Sequence, residues 1–223
     1  MPEVIFAGAV GRLEGKYQQS LDSKAPVALI LHPHPQHGGT MNNKVVYTLY
    51  KTFAGKGFTV LRFNFRGVGR SQGSYDNGEG ELSDAASALE WLQSINPHAQ
   101  DVWVAGFSFG AWISMQLLMR RPELRGFVAV SPPADRYDFN FLAPCPVSGQ
   151  IIQGNADTIV TPAAVEKLAV KLNNQRGIAI DFRMIADAGH FFTKQLEELS
   201  FHVSQYLNKS PSFGLQERKA AIG

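Results

Sequence analysis

The run Asp101-Val102-Trp103-Val104-Ala105-Gly106-Phe107-Ser108-Phe109-Gly110-Ala111-Trp112-Ile113 changes its period on a serine, and it constrains this chain more than any other stretch. Val102, Trp103 and Val104 form an apolar, β-favouring segment. From Ala111 to Arg121, by contrast, Ile113, Leu117 and Leu118 fall at helical spacing, and the pattern stops just before Pro122. Gly106 and Gly110 lack a Cβ where a tight strand-to-helix turn crowds its neighbours, so Ser108 can take a strained conformation with its hydroxyl thrust out of the sheet. The pattern is that of a nucleophile elbow, G-x-S-x-G. Five letters also occur by chance in turns, so the rest of the chain must supply a base, an acid and donors for an oxyanion.

Taken in order, residues 4–10 and 12–19 alternate around Gly11 as an N-terminal hairpin or two edge strands. Pro26 to Leu31 is nearly all apolar, as expected of a strand buried on both faces. Helical stretches are then expected at 43–54, 81–93, 111–121, 163–172 and 192–207, and strands at 59–65, 102–104, 127–130, 149–153 and 178–185. Such alternation predicts an α/β fold with a mostly parallel sheet covered by helices on both faces. Residues 1–209 are expected to form one domain and 210–223 an appended tail. The proline-rich connection 131–148 is too short for a large lid, which predicts an open cleft.

Composition narrows the function classes. A chain of 223 residues with 44% hydrophobic and 18% charged residues is an ordinary globular protein, and its net charge of +2, spread over scattered basic residues, leaves no nucleic-acid footprint. The single cysteine, Cys145, forms no internal disulfide and is compatible with a reducing compartment. Met1 to Gly8 carries no basic region and too short an apolar stretch for a signal peptide, and no run approaches the ~18 apolar residues of a membrane span. The expectation is a soluble cytoplasmic protein that binds neither membrane nor nucleic acid.

A serine hydroxyl needs a neighbouring base, and a histidine serves because its proton exchanges near neutral pH. In parallel sheets sites gather beyond the carboxyl ends of strands, so the base should follow a late strand. Of six histidines, His190 fits best, placed after strand 178–185 and before the last helix; His98 falls at the wrong edge and His202 inside a helix. Asp157, in Gly154-Asn155-Ala156-Asp157 after strand 149–153, is the favoured carboxylate to orient that base. Asp135 is the alternative, and Asp187 lies too close in sequence to His190. One oxyanion donor is expected to be the Phe109 amide, so the side chain there is expected to vary more freely than its position. The other should come from His32-Pro33-His34-Pro35-Gln36-His37-Gly38-Gly39, where the prolines lack N–H groups, leaving the His34 amide first and Gln36 in reserve.

Three further features compete for attention. His32, His34 and His37 could form a metal cluster, but no carboxylate or cysteine spacing supports one, and the expectation is no metal and no cofactor. Arg66-Gly67-Val68-Gly69-Arg70-Ser71-Gln72-Gly73 departs from the dinucleotide fingerprint and reads as a tight loop beside the cleft. Cys145 has no elbow around it. Aromatic residues Phe107, Phe109, Trp112, Phe191 and Phe192 flank the site, as core or as acyl pocket.

With His32-Pro33-His34-Pro35, Gly38-Gly39, Arg66 to Ser71, the elbow, Gly154 to Asp157 and Ala188-Gly189-His190 in hand, the chain resembles the α/β-hydrolase superfamily over nearly its whole length. It looks like the compact, cap-less serine hydrolases related to dienelactone hydrolases and to prolyl-oligopeptidase-like and dipeptidyl-peptidase catalytic domains. The resemblance implies an eight-stranded sheet and a Ser-Asp-His triad, here Ser108, Asp157 and His190. Dienelactone hydrolases carry cysteine at the elbow, so lactone opening is not implied. The expected activity is hydrolysis of a small-molecule acyl substrate, an ester or thioester, through an acyl-enzyme, with a peptidase and a non-catalytic ligand-binding protein as the alternatives.

Overall fold

A computed structural model describes residues 2–209; the expected tail, 210–223, lies outside the described residues. The chain opens with an antiparallel hairpin, β1 (Glu3–Gly8) and β2 (Gly11–Gln18). There follow β3 (Val27–Leu31), α1 (Lys44–Gly55), β4 (Thr59–Phe63), α2 (Glu79–Ser94), β5 (Val102–Phe107), α3 (Phe109–Leu118) and β6 (Leu124–Val130). The last elements are β7 (Gly149–Gly154), α4 (Pro162–Asn173), β8 (Ile180–Ile185) and α5 (Leu196–Lys209). The strands form one eight-stranded sheet in the order β1-β2-β4-β3-β5-β6-β7-β8. β2 meets β4 antiparallel, and every pairing from β4 through β8 is parallel, so the expected mostly parallel sheet is present.

Strand alternation divides the core in two. In β3, Val27, Leu29 and Leu31 face one side and Ala28 and Ile30 the other; in β5, Val104 opposes Trp103, Ala105 and Phe107. Leu82, Leu89 and Leu92 of α2, Ile113 and Leu117 of α3, and Val165 and Leu168 of α4 cover the first face. Val45, Leu49 and Phe53 of α1 with Leu199, Val203 and Leu207 of α5 cover the second. Both faces being buried, β3 and β5 must be apolar at every position, which is why they read as continuous runs rather than alternating ones.

Local chemistry fixes several boundaries. Asn43 caps α1, its side chain accepting from the Val45 amide at 2.9 Å. The Glu81 carboxylate accepts from the Gly78 amide at 2.7 Å and secures the start of α2. Several expected boundaries shift by a few residues, two of them beside the candidate site. The third helix begins at Phe109, immediately after the serine, rather than at Ala111. The last helix begins at Leu196 rather than 192, because Phe192, fully buried against the α1/α5 core, sits at φ 49° and holds the intervening residues in turns. The 131–148 connection contains one short 3₁₀ turn, Asn140–Leu142, and among the described residues no α-helix or strand of its own. Among the described residues no helix is long and apolar enough to cross a membrane.

Candidate active site

At the end of β5 the chain turns into α3 through a single residue, Ser108, at φ 55° and ψ −119°. A side chain rarely tolerates that backbone, and the surroundings impose it. A Cβ on Gly106 would lie 2.2 Å from the Gly110 carbonyl oxygen, and one on Gly110 would lie 2.5 Å from the carbonyl oxygens of Leu31 and His32. Only glycine on both sides lets the helix start this close to β5 and β3. The Ser108 amide donates to the Val130 carbonyl at 2.8 Å, and the Ser108 carbonyl accepts from Ala111 and Trp112. Its hydroxyl is thereby held at the carboxyl edge of the sheet, outside the hydrogen-bonded frame.

Two loops converge there. Asn155 and Ala156, following β7, donate to the carbonyls of Ile185 and Ala188, and the Asp187 amide donates to the Asn155 side chain at 2.7 Å. These bonds lock the loop after β7 to the loop after β8. His190 Nδ1 lies 2.8 Å from Asp157 Oδ2, and its Nε2 lies 3.1 Å from Ser108 Oγ. The structure thus brings all three predicted side chains into one hydrogen-bonded row, and with a carboxylate on Nδ1 the ring carries its proton there, leaving Nε2 free to accept from the serine. The other Asp157 oxygen accepts from the amides of Ile159 and Val160 at 2.8 and 2.9 Å. Burial pushes the Asp157 pKa upward, but the His190 hydrogen bond and the Val160 amide outweigh it, and the carboxyl sits below its ordinary range.

The alternatives are placed elsewhere. Asp135 accepts from the amide and hydroxyl of Thr161 at 2.9 and 2.6 Å and so pins the start of α4. Asp187 enters through its backbone, its carbonyl accepting from Gln195. Cys145 is buried, donates to the Val147 carbonyl, and is held in the thiol form by burial, which raises its pKa. Arg66 binds Asp84 through two nitrogens and Arg70 binds Glu14, so the glycine loop is a brace tying β2, β4 and α2 together.

The histidine-rich loop is organised as a brace as well. His32 is fully buried, its Nδ1–H donating to the Pro33 carbonyl at 2.6 Å and its Nε2 accepting from the Phe65 amide at 3.0 Å. Both nitrogens are committed to backbone, which takes His32 out of any metal cluster with His34 and His37. Those two rings stack at 4.3 Å, and among the described residues no group of three His, Cys, Asp or Glu converges. His34 Nδ1 accepts from the Gln36 amide at 3.2 Å, so the reserve oxyanion donor is already occupied. The Phe109 amide, at the first position of α3, precedes the intrahelical series. The Phe109 ring, expected to vary more freely than its position, is instead buried among His34, Phe65 and Trp112, of which the fold brings His34 and Phe65 to it from separate parts of the chain.

His32 also makes an acid-sensitivity prediction. Burial lowers its pKa to about 4, against 6.5 in an unfolded chain. Between those values the unfolded state binds the extra proton, so stability is complete above pH 6.5 and falls as pH drops toward 4, by about 3 kcal/mol. Urea unfolding of wild type and His32→Asn at pH 7 and pH 4 should show the wild type losing about 3 kcal/mol more than the variant; equal losses would refute the assignment. Other titrating groups are common to both proteins and cancel.

The cleft beside the row holds about 110 Å³ and is lined by Ser108 and His190 with Pro33, His34, Asn43, Ile159 and Phe191, and by Gly38 and Gly39. Of the five flanking aromatics, Phe107, Phe109 and Phe192 are core, whereas Phe191 is 51% exposed at the rim opposite Ile159, itself 38% exposed. A larger cavity, about 670 Å³, lies between Arg125, Ile178, Asp181 and Tyr206 and shares no lining residue with the row. Chemistry, not size, therefore marks the candidate site.

Residues 21–214 match the model of the X-Pro dipeptidyl-peptidase (S15) family. The chain belongs to the S15 family. It is 54% identical over 211 residues to an uncharacterized protein of Rickettsia prowazekii, covering 93% of this chain and 89% of that one. A protein of unknown function from Agrobacterium tumefaciens superimposes at a TM-score of 0.91, with 57% identity over 93% of this chain and 95% of that chain. An α/β serine hydrolase without a lid from Xanthomonas campestris superimposes at 0.83, with 34% identity over 92% of each chain. This S15-family chain is accordingly a cap-less member of the α/β-hydrolase superfamily, and the 131–148 connection, which among the described residues holds no helix beyond a 3₁₀ turn, agrees with the lidless relative.

Proposed function

We propose that the protein is a carboxylesterase-like serine hydrolase that cleaves a small ester or thioester through an acyl-enzyme. The observation that carries this reading is the row Ser108 Oγ, His190 Nε2, His190 Nδ1 and Asp157 Oδ2 at 3.1 and 2.8 Å, mounted on a strained elbow. Ser108 Oγ attacks the acyl carbon as its proton passes to His190 Nε2, and Asp157 stabilises the imidazolium. The amides of Phe109 and His34 receive the oxyanion. Collapse of the tetrahedral species breaks the bond to the leaving alcohol or thiol, which takes the proton from His190. Water then repeats the sequence at the acyl-serine and releases the acid.

The cleft favours a short acyl group, being well below the roughly 300 Å³ at which pockets for drug-sized ligands begin. The family match raises a second reading, a peptidase that removes an X-Pro dipeptide. Such a substrate presents a free ammonium group, and among the described residues no carboxylate lines the cleft, which favours the neutral ester. The native protein should react with a fluorophosphonate at Ser108 and turn over aryl acetates and propionates at least ~10-fold faster in kcat/KM than aryl octanoates or X-Pro anilides. Absence of labelling in folded protein would refute a serine hydrolase of any kind; a preference for X-Pro anilides would select the peptidase.

A further inference from the structure

We propose that Gln153 is the positioning residue of this site, holding the Asp157 carboxylate in register with His190; the inference rests on the serine-hydrolase reading above. Gln153 lies in β7, one residue before its end, and is fully buried. The polar residue sits at the carboxyl edge of a strand otherwise made of Gly149, Gln150, Ile151, Ile152 and Gly154. Its Nε2 donates to Asp157 Oδ2 at 3.0 Å, the same oxygen that faces His190 Nδ1. The same nitrogen also lies 3.2 Å from the Gly154 carbonyl and 3.3 Å from the Val160 carbonyl.

Three acceptors surround that nitrogen, whereas the Gln153 Oε1 has no hydrogen-bond partner among the described residues although it is buried. The amide can therefore sit one way only: turning it over would aim a carbonyl oxygen at a carboxylate and two carbonyls. A buried acceptor left without a partner is costly, and the arrangement tolerates that cost in order to keep the donor on Asp157. Among the described residues the Asp157 carboxylate thus has four donors, two per oxygen, and only Gln153 reaches it through a side chain that is not itself part of the row. Asp157 and His190 are the ionisable groups hydrogen-bonded to this cluster.

Two variants separate positioning from packing. Gln153→Leu keeps the volume and removes the donor; kcat should fall about tenfold with KM nearly unchanged, and the rate of fluorophosphonate labelling should fall in parallel. Gln153→Glu introduces a carboxyl 3 Å from Asp157, and two carboxyls at that distance share one proton. While protonated, the introduced group can donate to Asp157 as the amide does. Once it ionises, it repels Asp157 and releases His190. The kcat/KM profile should therefore gain an alkaline descending limb that the wild type and Gln153→Leu lack. A purely structural role lowers the melting temperature and leaves the profile's shape unchanged, and that result, or a Gln153→Leu kcat within twofold of wild type, would overturn the proposal. Should Gln153→Glu fail to fold, the kcat and KM split of Gln153→Leu still decides. Failure of the wild type to label at Ser108 would instead refute the hydrolase reading itself, so the two failures are distinct.

Discussion

Ser108→Ala is expected to lower kcat on an activated acetate by about 10⁴- to 10⁶-fold and to abolish the pre-steady-state burst, with KM little changed. The size follows from the role: the hydroxyl is the atom that forms the covalent bond, and its removal leaves only oxyanion donors and binding to act on a water molecule. The fold should not notice. Among the described residues Ser108 Oγ is hydrogen-bonded to His190 alone, while its amide and carbonyl, which build the elbow, are retained by alanine. The strain at φ 55° is also retained, because Gly106, Gly110 and the end of β3 impose it. Stability should therefore lie within about 1 kcal/mol of wild type. Ser108→Gly should be more stable by a similar amount, since glycine adopts positive φ at little cost. Burst kinetics alongside thermal melts would check both halves. A Ser108→Ala variant that still labels or still shows a burst would mean another nucleophile, and Cys145, buried and held as a thiol, offers no substitute.

The site was largely legible because its members obey one rule: each stands on a loop just beyond the carboxyl end of a parallel strand. Ser108 follows β5, Asp157 follows β7, and His190 follows β8, so strand order alone delivers the three side chains to one edge. The strands were legible because β3 and β5 are buried on both faces and leave an unbroken apolar trace. What escaped depends on contacts between distant residues. Phe192 belongs to a helical pattern, yet its ring is drawn into the α1/α5 core and its backbone is forced to φ 49°, so tertiary packing overrode local periodicity. The Phe109 ring is fixed by His34 and Phe65, which lie 75 and 44 positions away in the chain, and no local pattern records that neighbourhood. His32 reads as one of three candidate ligands until its two nitrogens are seen bound to Pro33 and Phe65. Gln153 left a trace, one of two glutamines in a fully buried strand, but its meaning rests on which atom of the amide faces Asp157.

Asp157→Asn should lower kcat by about 10⁴-fold, some 5.5 kcal/mol of barrier, in a protein that still folds but is less stable. The loss is a matter of tautomer rather than of lost contact. Oδ1 of the native carboxylate accepts from the amides of Ile159 and Val160, so an asparagine must aim its carbonyl oxygen at those two donors. Its NH₂ then faces His190 Nδ1, which has to become an acceptor, and the imidazole proton moves to Nε2, pointing at Ser108 Oγ. A ring protonated there cannot take the serine proton. The same NH₂ would also confront the Gln153 Nε2, donor against donor, and Gln153 cannot turn over without setting its oxygen against the Gly154 and Val160 carbonyls. The opposite orientation of the asparagine is worse, since it places NH₂ against two backbone N–H groups. Every arrangement therefore ends with a misdirected histidine or an unmet buried donor. Nitrogen-15 NMR of His190 should report the proton on Nδ1 in the wild type and on Nε2 in the variant, together with the kinetic loss; a variant within tenfold of wild type would show that the carboxylate does not set the tautomer.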